Sequence, residues 1–238
     1  MKLPRLLPTG LVFVAVFTAT FSPVERAKAE EQVDRMDQFR KSHQAGVRLG
    51  AWSNLGDLPP RETLEGSTTV TSKVKNGSFL FEAYFAYRLF PAAMIELSAG
   101  VANRGTVSIT DSLQSDVGNL MIYPILLQAK LYPLAGSNIE LQPYLLGGGG
   151  LYYGRRTVQF VSNQSFFVGS GLDQESGTDF NFVVGGGIDW PIHNSIALDL
   201  SLKYMPVSFS NQLVSVTDYE AVAFGIGIKY LYRSKNRN

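Results

Sequence analysis

Hydrophobic and polar residues alternate with a period of two along most of the chain after residue 44. In the clearest run, residues 79 to 89, Phe79 and Phe81 begin one face while Leu80 and Glu82 begin the other. A period of two is typical of a β-strand and not of a helix, whose period is 3.6. The pattern predicts an all-β fold with eight strands. These lie near residues 47–52, 79–89, 95–101, 123–131, 139–153, 179–190, 196–204 and 222–232.

The connections between these strands alternate between short and long. The short ones lie near 91–93, 134–138 and 191–195, and the long ones near 56–76, 106–118, 155–178 and 206–218. An even number of strands with short turns at one end and long polar loops at the other is typical of a transmembrane β-barrel, which exposes no sheet edge to lipid. We therefore predict an eight-stranded antiparallel up-and-down barrel over residues 45–232, with short periplasmic turns and long extracellular loops.

The two faces of the predicted strands differ in composition. One face is almost purely apolar, and the other carries a few charges among Gly, Ala and Ser. A soluble barrel of the lipocalin kind, with its apolar face inward, is the alternative, and Gly50-Ala51-Trp52 is similar to the Gly-x-Trp of that family. Roughly one or two charges per strand would be a sparse coat in water, where surfaces are about 25–35% charged. The composition therefore favours a membrane barrel whose apolar face contacts lipid over a soluble barrel.

Aromatic residues lie at both ends of the apolar face. The group at the short-turn end is Phe90, Trp190, Tyr230 and Tyr232, and the group at the loop end is Tyr123, Tyr153, Phe180 and Tyr204. Aliphatic side chains lie between the groups. Two aromatic girdles around an aliphatic band match the two interfaces of a bilayer.

The polar face carries ten charged residues, five basic and five acidic. Charges buried in the narrow lumen of an eight-stranded barrel persist when they are paired, so this balance predicts a plug and not a pore. The predicted network near the short-turn end is Arg48, Arg88, Glu96, Lys130, Glu140, Asp189, Asp199 and Lys229. The predicted upper lumen contains Glu82, Lys203, Trp52, Tyr84 and Tyr152, and any cavity there is expected to open toward the loops.

Two glycine runs, 147–150 and 185–187, do not form a phosphate-binding loop, because no Gly-Lys-Ser/Thr follows them. Their inward-facing members, with Gly225 and Gly227, are expected to make room for inward aromatic side chains such as Tyr144. A small-ligand cavity is the alternative.

Composition excludes several classes of function. The chain has 238 residues, a net charge of +1, no cysteine and only two histidines, His43 and His193. A charge near zero does not suit nucleic-acid binding. The lack of Cys excludes disulfides and thiolate metal sites. We therefore expect no nucleic-acid partner, no metal site and no cofactor.

Residues 1–29 have the layout of a signal peptide. Lys2 and Arg5 precede an apolar run, 11–21, and Ala27-Lys28-Ala29 ends the segment. An N-terminal membrane anchor is the alternative, but the run is about half the roughly 20 residues of a transmembrane helix. We expect cleavage after Ala29, then a periplasmic tail or short helix at 30–44, the barrel, and a polar tail at 233–238.

The last strand, Gly227 to Tyr232, has a glycine and two aromatic residues two positions apart. It resembles the C-terminal assembly signal of the small eight-stranded outer-membrane barrels of Gram-negative bacteria, the OmpX, OmpA-barrel and OmpW group. The resemblance is one of pattern over residues 44–232, and six residues follow Tyr232 where members of the group end. It implies an outer-membrane location and contact with lipid, lipopolysaccharide and the assembly machinery.

Three roles follow as expectations. The first is a structural or surface-interaction barrel without enzymatic activity, with the loop at 155–178, which holds Arg155, Arg156, Asp173 and Glu175, as the candidate contact for an extracellular ligand or host surface. The second is a narrow channel for small hydrophobic compounds, since His43-Gln44-Ala45-Gly46 is similar to the opening of OmpW-like proteins, which are associated with such passage. The third is a lipid A-modifying enzyme. Such enzymes share the fold but need a His at the loop end, where this sequence has none.

Overall fold

The structure is a computed structural model that describes the backbone of residues 23–55, 61–65, 68–74, 77–111, 114–161, 170–213, 216–218 and 220–233. Within these ranges one helix, α1 (Pro23–Lys41), precedes the strands. The strands are β1 (His43–Asn54), β2 (Arg61–Glu65), β3 (Thr68–Val74), β4 (Gly77–Phe90), β5 (Ala93–Asp111), β6 (Gln114–Leu131), β7 (Gln142–Val161), β8 (Ser170–His193), β9 (Ile196–Met205), β10 (Ser208–Leu213), β11 (Val216–Asp218) and β12 (Ala221–Tyr232).

Eight of these strands close into a ring of antiparallel pairs. The order around the ring is β1, β4, β5, β6, β7, β8, β9 and β12. The first and last strands complete it, with pairs running from His43 opposite Tyr232 to Asn54 opposite Ala221. Each strand neighbours the next barrel strand in the chain, so the predicted eight-stranded up-and-down barrel is confirmed.

The predicted long loops are partly strand. β2 and β3 form a hairpin whose second strand pairs with the far half of β5, and β10 and β11 form a two-stranded sheet. The backbones of β5 and β6 pair as far as Asp111 and Gln114, and those of β7 and β8 as far as Val161 and Ser170. The loop predictions at 106–118 and 155–178 were wrong in this respect, because backbone pairing continues where the apolar stripe has ended.

The two ends of the barrel are named here by their connections. The lower end has the short connections at 91–92, 132–141 and 194–195, and the upper end has the others. The end of α1 lies against the lower end, where Met36 and Phe39 are each 1% exposed. β1 begins at His43, and the predicted tail at 30–44 is therefore mostly helix. The expected cleavage site after Ala29 falls within α1, and residues 1–22 and 234–238 lie outside the described part of the chain.

The exterior is an apolar belt made of the outward-facing side chains of the eight barrel strands. Leu127, Phe182, Leu200 and Phe224 are between 42% and 57% exposed near the middle of their strands. Ten residues separate Phe180 and Trp190 along β8. At a rise of about 3.3 Å per residue and a tilt of about 40°, this separation spans about 25 Å, the height of the apolar band of outer-membrane barrels.

The predicted girdle residues lie on this exterior. Phe90, Trp190 and Tyr230 are 56%, 44% and 58% exposed near the lower end, and Phe180 is 68% exposed above them. Tyr123 and Tyr153 are neighbours on β6 and β7 with ring centroids 6.0 Å apart, and Tyr204 lies 6.4 Å from Phe182. Tyr232 lies 5.5 Å from the ring of His43 at the seam between β12 and β1.

Candidate functional site

A cluster of charged side chains crosses the middle of the lumen. This polar layer consists of Arg48, Glu82, Glu96, Lys130, Asp189, Asp199, Lys203 and Lys229. Arg48 lies at its centre on β1. Its guanidinium donates two hydrogen bonds to Glu96, at 2.8 and 2.9 Å, one to Glu82 at 2.9 Å, and one from Nε to Asp199 at 2.5 Å. One cation thus joins carboxylates from three other strands.

Each lysine of the polar layer forms an ion pair of its own. Lys130 Nζ lies 2.6 Å from Glu96, Lys203 Nζ lies 2.6 Å from Glu82, and Lys229 Nζ lies 2.6 Å from Asp189. All of these side chains are at most 4% exposed. Burying a charge is tolerated when it is paired and hydrogen-bonded. Here each lysine has a carboxylate partner within ion-pair distance.

Tyrosine side chains complete the polar layer. Tyr144 donates a hydrogen bond of 2.8 Å to Asp199, and Tyr132, just below, donates one of 2.7 Å to Asp189. The Arg48 guanidinium stacks 3.7 Å from the ring centroid of Tyr84. With Tyr144 on β7, every one of the eight barrel strands contributes a side chain to this level. The strands and their residues are β1 with Arg48, β4 with Glu82, β5 with Glu96, β6 with Lys130, β7 with Tyr144, β8 with Asp189, β9 with Asp199 and Lys203, and β12 with Lys229.

Two inward glycines provide the room that these large side chains need. A Cβ at Gly187 would lie 2.4 Å from the hydroxyl of Tyr144, and a Cβ at Gly227 would lie 2.8 Å from Cγ of Arg48. Neither contact is sterically allowed. Two of the glycines that the sequence pattern assigned to the lumen therefore face bulky side chains, an aromatic ring at Gly187 and the central arginine at Gly227. A Cβ at Gly148, Gly150 or Gly185 would meet the backbone of the neighbouring strand.

The structure separates two residues from the predicted network. Glu140 precedes β7, which begins at Gln142, and its half-buried carboxylate pairs at 3.1 Å with Arg35 of α1. Arg88 is the last inward residue of β4, and its guanidinium donates to the backbone carbonyls of Phe39, Ser42 and Pro91. The prediction placed both with the charged cluster because the sequence pattern did not show where the strands end.

Glu82 and Lys203, predicted to lie above the network, are part of it. Glu82 accepts hydrogen bonds from both Arg48 and Lys203. The strands of a barrel are tilted and staggered by its shear, so a residue's position along its strand does not give its height directly. The predicted separation of a lower network from an upper pair was therefore wrong.

Above the polar layer the lumen is apolar and filled. This apolar layer consists of Trp52, Leu80, Ala102, Leu120, Ile122, Tyr152, Met205, Ala221 and Ala223, each at most 6% exposed. A cavity of about 10 Å³ lies beside Glu82, Lys203 and Ser201, at the lower limit of the space for one water molecule. The predicted opening toward the loops is not found among the described residues, because apolar side chains occupy that space.

The two histidines lie at the lower end. His43 Nδ1 accepts a 3.0 Å hydrogen bond from the backbone of Arg88 and its ring stacks on Tyr87. His193 Nδ1 accepts a bond from the backbone of Ser195. In the described part of the chain, no three His, Cys, Asp or Glu side chains are grouped so as to hold a metal ion. No described helix has the length and hydropathy to cross a membrane.

No known protein family and no curated protein matches this chain. Solved structures do match. The outer membrane protein OprG from Pseudomonas aeruginosa is 19% identical, with a TM-score of 0.51 over 83% of this chain and 99% of that one. Neisserial surface protein A is 14% identical, with a TM-score of 0.48 over 80% and 96%. Ail, the attachment invasion locus protein of Yersinia pestis, is 15% identical, with a TM-score of 0.46 over 81% and 99%.

A closed ring of eight antiparallel strands with an apolar exterior and a filled interior defines a transmembrane β-barrel. The chain is similar in fold to the small outer-membrane barrels of Gram-negative bacteria. The predicted resemblance is confirmed at the level of the fold.

Proposed function

We propose that this protein is a closed outer-membrane barrel with a structural or surface-interaction role, without catalytic activity and without passage of solute. The observation that carries the proposal is the polar layer, to which all eight barrel strands contribute a side chain. The short turns, α1 and both ends of the chain lie on the periplasmic side in this proposal, and the upper connections face outward.

The energetics of the polar layer support a closed lumen. Opening a path requires Arg48 to leave at least one of its three carboxylates. Breaking a buried ion pair by removing one partner costs about 3–5 kcal/mol, because the other charge stays uncompensated. Several pairs share partners, so displacing one weakens the next. A water-filled state would therefore be rarely populated.

The upper strands support a role at the cell surface. β7 continues for eight residues from Tyr153 to Val161, and β8 pairs with it over this whole length. Eight residues of strand extend about 26 Å at about 3.3 Å per residue. In register, Arg156 lies opposite Glu175 and Val158 opposite Asp173. The β7–β8 hairpin would present these positions of the predicted contact loop on a paired backbone.

Planar-bilayer recording of the purified protein tests the closed lumen. We expect no steady conductance from the wild-type chain, because the polar layer leaves no continuous aqueous path. The Arg48→Ala, Lys130→Ala variant removes two of the side chains that fill the centre, and its recording shows whether their loss alone opens a path past the apolar layer. A steady conductance from the wild-type protein would contradict the proposal.

A narrow channel for small hydrophobic compounds is the second candidate, and the apolar layer favours it. Trp52, Leu120 and Ile122 would offer an apolar surface to a compound entering from outside. Such a compound would then meet Arg48 and its carboxylates. Uptake of an apolar dye into proteoliposomes, without ion conductance, would favour this second role over the first.

The remaining predictions about processing and partners also belong to the proposal. We expect export, removal of residues 1–29, and assembly through recognition of the last strand, Gly227 to Tyr232. Outer-membrane lipid and lipopolysaccharide are the expected surroundings of the apolar belt. An extracellular ligand or host surface is the expected partner of the upper hairpins.

A further inference from the structure

Helix α1 inserts two apolar side chains into the lower end of the barrel. Met36 and Phe39 are each 1% exposed, although four of the twelve residues from Glu30 to Lys41 are charged and exposed. The ring of Phe39 meets Tyr132 edge-on, with centroids 5.7 Å apart, and the Arg88 guanidinium lies 5.1 Å from the centroid of Phe39. These two apolar side chains of a largely polar helix are thus buried inside the mouth of the barrel.

The carboxyl end of α1 and the residue that follows it provide two of the three carbonyl partners of Arg88; the third is Pro91. The Arg88 guanidinium donates to the carbonyl of Phe39 at 3.0 Å and to that of Ser42 at 3.4 Å. The last carbonyls of a helix have no partners within the helix and carry partial negative charge. Arg88 is mostly buried, and it forms no ion pair with a described carboxylate. The helix end therefore takes the place of a counter-ion for this arginine.

Polar contacts also hold α1 to the rim of the barrel. Arg35 pairs with Glu140 at 3.1 Å, Gln32 donates to the carbonyl of Asn138 at 3.1 Å, and Arg40 donates to the carbonyl of Ser137. These acceptors all belong to the connection between β6 and β7. On the other side, Arg233 after β12 pairs with Asp37 at 3.4 Å. The helix is thus fixed at several points around the mouth.

All of these contacts begin at Gln32 or later, after the expected cleavage site. Removal of residues 1–29 would leave every one of them in place. The docked segment would then be the amino-terminal end of the exported protein.

We propose that α1 is a plug: it closes the periplasmic mouth of the barrel independently of the polar layer, and its release exposes a vestibule below that layer. Ala86, the inward position next above Arg88 on β4, would line this vestibule, and it is fully buried. The lumen then has two separate closures, one made by ion pairs within the wall and one made by a tethered helix.

Single cysteines test this proposal cleanly because the chain has none of its own. Ala86→Cys reports on the space below the polar layer, and Ala102→Cys, fully buried in the apolar layer, reports on the space above it. Each is combined with Phe39→Asp, which places a charge where α1 contacts the inside of the barrel mouth. The rate of modification by a charged maleimide is measured in detergent micelles.

We expect Phe39→Asp to speed the modification of Ala86→Cys by about tenfold or more, since local opening sets the rate for a buried group, and to leave Ala102→Cys protected. The control Val33→Asp changes a 49% exposed position of the same helix and should speed neither reporter. If both reporters become reactive, the barrel has loosened as a whole and the plug is refuted. If neither does, α1 does not seal the mouth.

A deletion of residues 30–41 provides a second variant should Phe39→Asp assemble poorly. The modification rates of Ala86→Cys and Ala102→Cys are measured in this deletion variant, and again only Ala86→Cys is expected to react faster. A failure here is distinct from a failure of the proposed function, because the reporters can show that α1 does not seal the mouth while the wild-type protein still shows no conductance.

Discussion

The polar layer and the apolar layer fill the same lumen by different means. In the polar layer Arg48 depends on Glu82, Glu96 and Asp199, which come from three other strands. In the apolar layer side chains such as Ile122 require only neighbours of the right volume. Both exclude water. The polar layer is cooperative and sensitive to the loss of one member, whereas the apolar layer tolerates small changes one at a time.

Removing the centre of the polar layer should have the largest effect. Arg48→Met leaves three carboxylates facing one another without their shared cation, and we expect a loss of about 3–5 kcal/mol in the free energy of unfolding. Urea unfolding in detergent micelles, followed by tryptophan fluorescence, measures it. Arg233→Met, on an exposed residue after the last strand, is the control. If Arg48→Met lowered the free energy of unfolding by less than about 1 kcal/mol, the polar layer would be no more sensitive to the loss of one member than the apolar layer.

A double-mutant cycle should show the coupling within the polar layer. Lys229→Met and Asp189→Asn each break the same 2.6 Å ion pair. We expect the double variant to be more stable than the sum of the single losses predicts, by about 1–3 kcal/mol, because no charge is left unpaired. The same unfolding assay applies. Additive losses would show that the two residues act separately despite their contact.

A single methyl group removed from the apolar layer should have the smallest effect. Ile122 is fully buried, and Ile122→Val is expected to cost about 0.5–1.5 kcal/mol. Ile125 on the same strand faces outward and is 50% exposed, so Ile125→Val is a matched control that should cost less. A loss at Ile122 as large as that of Arg48→Met would contradict the difference between the layers.

The sequence predicted the barrel and most of the charged residues that face inward, because a charge among apolar neighbours marks the lumen side of a strand. It placed Trp52, Tyr152 and Leu80 on the inward face, but it did not predict that apolar side chains fill the lumen above the charges. Ala102, Ile122 and Met205 lie just beyond the ends of the predicted strands, so the pattern did not show that they face inward. The extended upper strands were also missed, although short alternating runs such as Thr-Val-Ser-Ile-Thr at 106–110 continue beyond the predicted strand ends.

Helix α1 was predicted only as a tail or short helix. Its docking could have been inferred from Met36 and Phe39, which are three residues apart in an otherwise polar segment and therefore lie on one side of a helix. The barrel residues that these two side chains contact could not be inferred from the sequence. The positions of Glu140 and Arg88 depend on where β7 begins and β4 ends, and on a helix end that the strand pattern does not include.

The pairing of the first strand with the last has a consequence for how the chain folds. Gln44 on β1 accepts a hydrogen bond from Lys229 on β12, 185 positions along the sequence, and Arg48 reaches Asp199 across 151. Contacts between such distant parts of a chain form late and slowly, because a long loop must close first. Until the ring closes, the charges of the future interior remain hydrated, and an incompletely inserted chain carries them at the bilayer. Closure of the seam is then the step at which these charges are dehydrated, paired and withdrawn from the lipid together.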